Sequence, residues 1–167
     1  KKIFFLGLAT IPAVIAALLF KDFFDAAPGN PVFVSSLLIV TGLVLFVPKF
    51  VKGGASGVGL KGALAMGIGQ AFAILPGISR SGSTIAAGLV SGVKAEKAAE
   101  FSFLMSIPAI AGGFVLTMKD KIDQTGSVSD AFAACFNSAY IAGAAAAAVV
   151  GLLAIYLVMG AVKKGRL

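Results

Sequence analysis

The residues best suited to chemistry lie together in one tract, Pro76-Gly77-Ile78-Ser79-Arg80-Ser81-Gly82-Ser83-Thr84. Arg80 is the only ionisable residue between Lys61 and Lys94. Its guanidinium is a fixed charge with a planar donor fork that matches phosphate oxygens. Ser79, Ser81, Ser83 and Thr84 add hydroxyl donors, and Gly77 and Gly82 permit backbone shapes that other residues resist. A helix starting here would aim its first N–H groups, those of about residues 82–85, and its positive dipole end at one point. Ser81 or Ser83 is the expected N-cap. The combination predicts a cradle for a phosphate or pyrophosphate.

What is missing narrows that chemistry. The chain has no histidine and a single cysteine, Cys135, so it offers no imidazole base and no intrachain disulfide. Cys135 reads as packing. No paired-carboxylate motif and no P-loop occurs, and the acidic residues ahead of Glu96 are Asp22 and Asp25. The tract is equipped to hold an anion, with no evident base to activate water and no metal ligands beside Arg80. Gln70 is within reach of the tract, and a structural hydrogen bond to a neighbouring helix suits it equally well. The rival reading of Arg80 is a side chain that snorkels to headgroups while the serines satisfy a kinked backbone. The clustering of hydroxyls argues against it.

The elements that must position this tract read as membrane helices. Of 167 residues, 59% are hydrophobic and 13% charged, against about a quarter charged in soluble domains. An isolated Arg in such a setting costs ~2.5–3.5 kcal/mol on insertion scales, so it needs a function or a partner. The net charge of +7 is spread between apolar runs, at Lys1-Lys2, Lys49/Lys52/Lys61 and Lys163-Lys164-Arg166. That is the spacing of membrane loops, and no nucleic-acid partner is expected. The chain opens on Lys1 and not on Met, with no signal peptide ahead of it, which is expected either of a chain from which residues were removed or of part of a longer protein.

Residues 3–20 form a first span of ~27 Å with Pro12 inside it. Residues 21–31 read as a loop, 32–47 as a second span ended by Pro48, and 49–61 as a Gly-rich basic loop. The apolar run 62–75 reaches only ~21 Å, and 85–93 is shorter still. Two half-length helices around residues 76–84 predict a re-entrant hairpin over 62–93. Lys94, Glu96, Lys97 and Glu100 read as a solvated first turn with local ion pairs. Residues 101–118 form a span containing Pro108, 119–130 a polar loop, 131–140 an interfacial lead-in, and 141–162 an Ala-rich last span. Gly88 and Gly92 read as a packing motif. Charge bias puts 49–61 and the basic tail in the cytoplasm and the two acidic loops outside, which requires 62–93 to leave and return on one side. Thr10-Ile11-Pro12-Ala13 and Ser106-Ile107-Pro108-Ala109 are matched by shared kink chemistry rather than by a proven repeat. The predicted class is an all-α polytopic membrane bundle with a re-entrant helix-loop-helix, in a single transmembrane domain.

The stretch from Gly67 through Gln70, Pro76, Arg80 and Thr84 to Gly88, followed by Ala98-Ala99-Glu100-Phe101-Ser102-Phe103-Leu104-Met105-Ser106-Ile107-Pro108-Ala109, resembles undecaprenyl pyrophosphate phosphatases of the BacA/UppP family. The pattern P-G-x-S-R-S-x-x-T followed by F-S-F-L-x-S-I-P carries the likeness, which extends over nearly the whole chain as the C-terminal two-thirds of a typical member. The resemblance implies hydrolysis of the long isoprenoid pyrophosphate carrier to its monophosphate, which recycles it for cell-wall synthesis and confers bacitracin resistance. It implies a bundle of two inverted repeats in the bacterial inner membrane, with the site where two re-entrant tips meet, open to the periplasm or exterior. Arg80, Ser79 and Thr84 become catalytic phosphate-binding residues, and Ser81, Gly82, Ser83, Gly77 and Gln70 substrate-binding ones. The family's first motif, with its Glu-x-x-x-Glu pair, has no match here. A divalent cation (Mg or Ca) is implied, with its ligands outside this chain. The implied partners are a lipid pyrophosphate, membrane lipids, a missing N-terminal half or complementary chain, and a homodimer. Two other classes fit the residues alone: an inverted-repeat transporter or channel binding an anion at a broken helix, and a non-catalytic packing subunit.

Overall fold

The structure is a computed structural model that describes residues 2–51, 53–135 and 138–163. Lys1, Lys52, Lys164 and Arg166 lie outside the described residues, as do the side chains of Lys2, Asp25, Cys135 and Lys163. Among the described residues the chain is helical, with one isolated β-bridge and no strand. It divides into two compact units, one up to Ser106 and the other from Ile107.

The first unit opens with α1 (Lys2–Leu19), which carries Pro12 inside it. The expected loop over 21–31 is instead α2 (Lys21–Ala26) and a 3₁₀ turn (Ala27–Gly29). Its breakers act only at the end: the Asn30 side chain accepts the Phe33 N–H at 3.0 Å, and Pro31 opens α3 (Pro31–Leu45). That is a standard cap followed by a proline whose missing N–H is not needed. Pro48 does not end the span. The break comes at Phe46, and Pro48 sits in the first turn of α4 (Val47–Phe50). Pro31–Phe50 is long and apolar enough to cross a membrane.

The half-length helices are α5 (Leu60–Phe72) and α6 (Arg80–Val90). They pack as an antiparallel hairpin, since a Cβ on Gly62 would touch Val93, one on Gly69 would touch Ser83, and Gly88 lies against Met66. The hairpin's two ends are joined: Ser56 bridges Val93, and the Lys94 N–H donates to the Ser56 carbonyl at 2.9 Å. The chain therefore enters and leaves the hairpin at one place. α1 lies along α5 at the closest approach glycine allows, with a Cβ on Gly67 only 2.5 Å from the Ala9 carbonyl oxygen. The buried cluster is Ala9, Ala63, Met66, Val93, Ala98, Phe101 and Met105. Three of the seven are alanines, which let the helices approach closely around Met66, Phe101 and Met105.

α7 runs from Ala95 to Thr125. The polar residues 95–100 thus form the expected first turns of this helix, while 119–125, expected as part of a loop, are helical too. Nothing in them stops a helix until Gly126, whose φ is +69°. Lys94 pairs with Glu96 at 3.5 Å and Lys97 with Glu100 at 3.0 Å, as the spacing suggests. In the second unit, α8 (Val128–Cys135) occupies much of the expected lead-in, and α9 (Ser138–Lys163) covers the last span. Among the described residues three helical segments are long and apolar enough to cross a membrane, or four if the bent pair Ile3–Leu19 and Lys21–Gly29 counts as one span. Leu38, Ile39 and Leu43 on α3 and Leu152, Tyr156 and Leu157 on α9 are exposed, which suits lipid and not water. This is an all-α polytopic membrane protein.

Candidate active site

The hairpin tip is shaped by three local events. α5 ends at Phe72, and successive short-range bonds (Ile74 N–H to Ala71, Leu75 to Phe72, Ile78 to Leu75) wind the chain through a tight turn. Gly77 then takes φ +99°, where a Cβ would lie 2.7 Å from the Val34 carbonyl oxygen. Only glycine meets both demands. Finally Ser79, extended at φ −68°, ψ 116°, caps α6: its Oγ accepts the Gly82 N–H at 3.1 Å, and its carbonyl accepts the Ser83 N–H at 2.9 Å.

The cap is therefore Ser79 and not Ser81 or Ser83, and the N–H groups of Gly82 and Ser83 are already used. Those of Arg80 and Ser81 have no partner among the described residues. Arg80 is the first residue of a helix with no acidic residue in its first turn. A cation there opposes the dipole, whereas an anion is favoured. Among the described residues no carboxylate pairs with it. Its Nη1 donates to Gln70 Oε1 in the last turns of α5, at 3.4 Å, the long limit of a hydrogen bond. Gln70 is 2% exposed, and its Nε2 has no partner among the described residues. An orphaned buried donor of this kind costs ~1–3 kcal/mol.

Two residues essential to this geometry escaped the sequence reading. Thr41 on α3 donates its hydroxyl to the Gly77 carbonyl at 2.6 Å and accepts the Ser79 N–H at 2.9 Å, clasping the turn on both sides. Ser102 on α7 meets Thr84 at 2.6 Å in a buried contact. Thr84 has one proton, shared between the Arg80 and Ser81 carbonyls at 2.9 and 3.1 Å, so Ser102 is the donor to it. Thr84 is 1% exposed and ties α6 to α7; its hydroxyl faces packing and not the open tip. Ser81 is exposed, and Gly82 is packed against Leu45 and Ser79 rather than in an unusual backbone shape. The only sequence sign of Thr41 is a hydroxyl inside an apolar run, a sign that Ser35 and Ser36 share.

Beside the tip runs an open groove of about 800 Å³ between α3, α5 and α6. Leu37, Val40, Val44, Ile68, Phe72 and Val90 make it apolar, with Ser83 near the tip and Lys61 and Ser91 near the base. A cationic, donor-rich turn next to an apolar channel suits a ligand with an anionic head and a hydrocarbon tail. The same turn does not suit a divalent cation. Hard dications want carboxylate oxygens, and the described residues contain no cluster of His, Cys, Asp or Glu able to hold one.

A family model described as "Bacitracin resistance protein BacA" matches residues 1–167. The chain is 40% identical over 160 residues to a protein of Desulforapulum autotrophicum named undecaprenyl-diphosphatase, covering 94% of this chain and 55% of that one. It is 44% identical over 163 residues to a Syntrophotalea carbinolica protein of the same name, covering 96% and 59%. A third, from Methanothermobacter thermautotrophicus, is 39% identical over 163 residues, covering 94% and 86%. The chain spans between 55% and 59% of the length of the first two relatives.

Proposed function

Because the chain belongs to the bacitracin resistance protein BacA family, we propose that it works in removing the terminal phosphate from undecaprenyl pyrophosphate, and that the hairpin tip is its pyrophosphate cradle. The lipid monophosphate would return to cell-wall synthesis, the basis of bacitracin resistance. The observation that carries this reading is Arg80: a full charge on a helix N-terminus, with no carboxylate partner among the described residues, in a turn whose Leu75, Ile78 and Ser83 line an apolar groove.

Phosphoryl transfer asks a protein mainly for positioning and for charge stabilisation. Attack on the terminal phosphorus breaks its bond to the bridging oxygen, and the departing lipid phosphate gains charge. Arg80 holds the non-bridging oxygens in its fork and offsets that charge. The Arg80 and Ser81 N–H groups and the Ser81 hydroxyl supply further donors, with Gly77 setting the turn that presents them. Ser79 and Thr84 act one step removed, capping α6 and tying it to α7; Gly82 allows the cap to close. Ser83 meets the substrate where head passes into groove, and the prenyl tail lies along α3, α5 and α6. The base that activates the attacking group, and the carboxylates of any divalent cation, come from sequence outside residues 1–167.

We place the protein in the bacterial cytoplasmic membrane, with residues 49–61 on the cytoplasmic side and the tip reaching mid-membrane toward an opening on the outer face. All the relatives named above are called undecaprenyl-diphosphatase, and none favours an anion transporter. The test is phosphate release from undecaprenyl pyrophosphate in detergent, with the residues upstream of Lys1 present. Arg80→Ala is expected to lower turnover by ~10²–10³-fold with its thermal unfolding unchanged. Near-normal release by that folded variant would sink the assignment.

A further inference from the structure

Gln70 is the buried residue that the tip leaves unfinished. A guanidinium only donates, so the amide orientation is set by chemistry: Oε1 faces Arg80, and the NH₂ faces elsewhere. That NH₂ is the buried side-chain group without a partner among the described residues. It belongs to a side chain only 2% exposed, bonded to the first residue of α6. Native proteins rarely bury a donor unpaired, and the exceptions call for an explanation such as an absent ligand.

We propose that Gln70 recognises the ligand together with Arg80: its Oε1 orients the guanidinium, and its Nε2 donates to an oxygen of the same pyrophosphate. This rests on the pyrophosphate reading of the tip. A neutral amide suits the task because it steers Arg80 without cancelling the charge the ligand needs. A carboxylate would steer it as well and repel the anion. The long 3.4 Å contact fits a guanidinium held in place but not saturated. The position fits too, since Gln70 lies in the last turns of α5, across the turn from Arg80.

The test uses near-isosteric exchange in the purified, detergent-solubilised chain, titrated with inorganic pyrophosphate and, separately, undecaprenyl pyrophosphate, and read by phosphorus NMR. Gln70→Met decides, because it removes the orphaned donor without adding a charge, so a purely structural residue would tolerate it with unfolding and binding intact. Ligand recognition instead predicts the probe bound about tenfold more weakly, while thermal unfolding stays at or above the wild-type value. Gln70→Glu strengthens the pairing with Arg80 and adds a repelling charge, so it is expected to fold and to bind about tenfold to a hundredfold more weakly. Wild-type binding in either folded variant, with loss in Arg80→Ala, would overturn the role of Gln70 and leave the cradle standing. Wild-type binding in all three, or no binding by the unaltered chain, would overturn both.

Discussion

The two ends of α6 are built to opposite plans. At its C-terminus the chain finishes every step itself. The Val93 N–H bonds the Gly88 carbonyl at 2.9 Å and the Gly92 N–H bonds Leu89 at 3.0 Å, a Schellman closure around a glycine at φ +90°. The next N–H, of Lys94, is taken by Ser56. At the N-terminus the closure stops short. Ser79 caps two N–H groups, two more are left, Arg80 adds a charge against the dipole, and Gln70 adds a buried donor with nothing to meet. Both ends contain a serine, a glycine with positive φ and a nearby Lys or Arg, so composition does not separate them. Satisfaction does: a turn that only reverses the chain looks like the base, and the tip looks like a turn awaiting an anion.

That contrast is broken most severely at the tip. Arg80→Ala should have the largest effect on turnover, as described above. Gly77→Ala comes next. It forces a Cβ into φ +99° and to within 2.7 Å of the Val34 carbonyl, for ~1–3 kcal/mol of strain. A shift of the turn by an ångström would cost on the order of 10²-fold in turnover. Parallel unfolding and phosphate-release measurements check it. Normal turnover would show that the substrate does not depend on the shape of the tip.

How much of this was legible depends on distance along the chain. Arg80 stood out because it was a lone charge in an apolar stretch, and the hairpin because 62–75 and 85–93 were too short to span. The cap was not legible. Ser79, Ser81 and Ser83 are equivalent as letters, and the choice is made by Thr41, which takes the Ser79 N–H from 38 residues away. Thr84 was assigned to the ligand for a similar reason, since its partner Ser102 comes from another helix. The polar C-terminal end of α7 was misread as a loop because hydropathy marks where a membrane would lie and not where a helix stops; Gly126 does that.

Thr41 gives the next smaller effect. Thr41→Val keeps the shape but removes both halves of the clasp, leaving the Gly77 carbonyl and the Ser79 N–H part-buried and unmet. About 1–3 kcal/mol of stability is expected to go, with turnover reduced about tenfold by the loosened turn. Thr41→Ser retains the hydroxyl and should restore turnover even if it packs less well. If the serine variant is as slow as the valine one, packing of α3 and not the clasp positions the tip.

The smallest effect is expected at the base, and it sharpens the contrast most. Gly92 has φ +90°, but a Cβ there meets nothing within 4 Å. Gly92→Ala therefore carries conformational strain alone, ~1 kcal/mol, with no neighbour to displace. The Ser56–Lys94 bond and the Gly88–Val93 closure on either side hold the base in place. Stability should fall by that amount in denaturant unfolding, and phosphate release should stay within about twofold of normal, because the strain is stored at the end of α6 away from Arg80. Equal losses of turnover in Gly92→Ala and Gly77→Ala would mean that α6 transmits strain along its length. The tip would then be one end of a single rigid element, and its unpaired donors would have to be explained by the whole hairpin rather than by the turn.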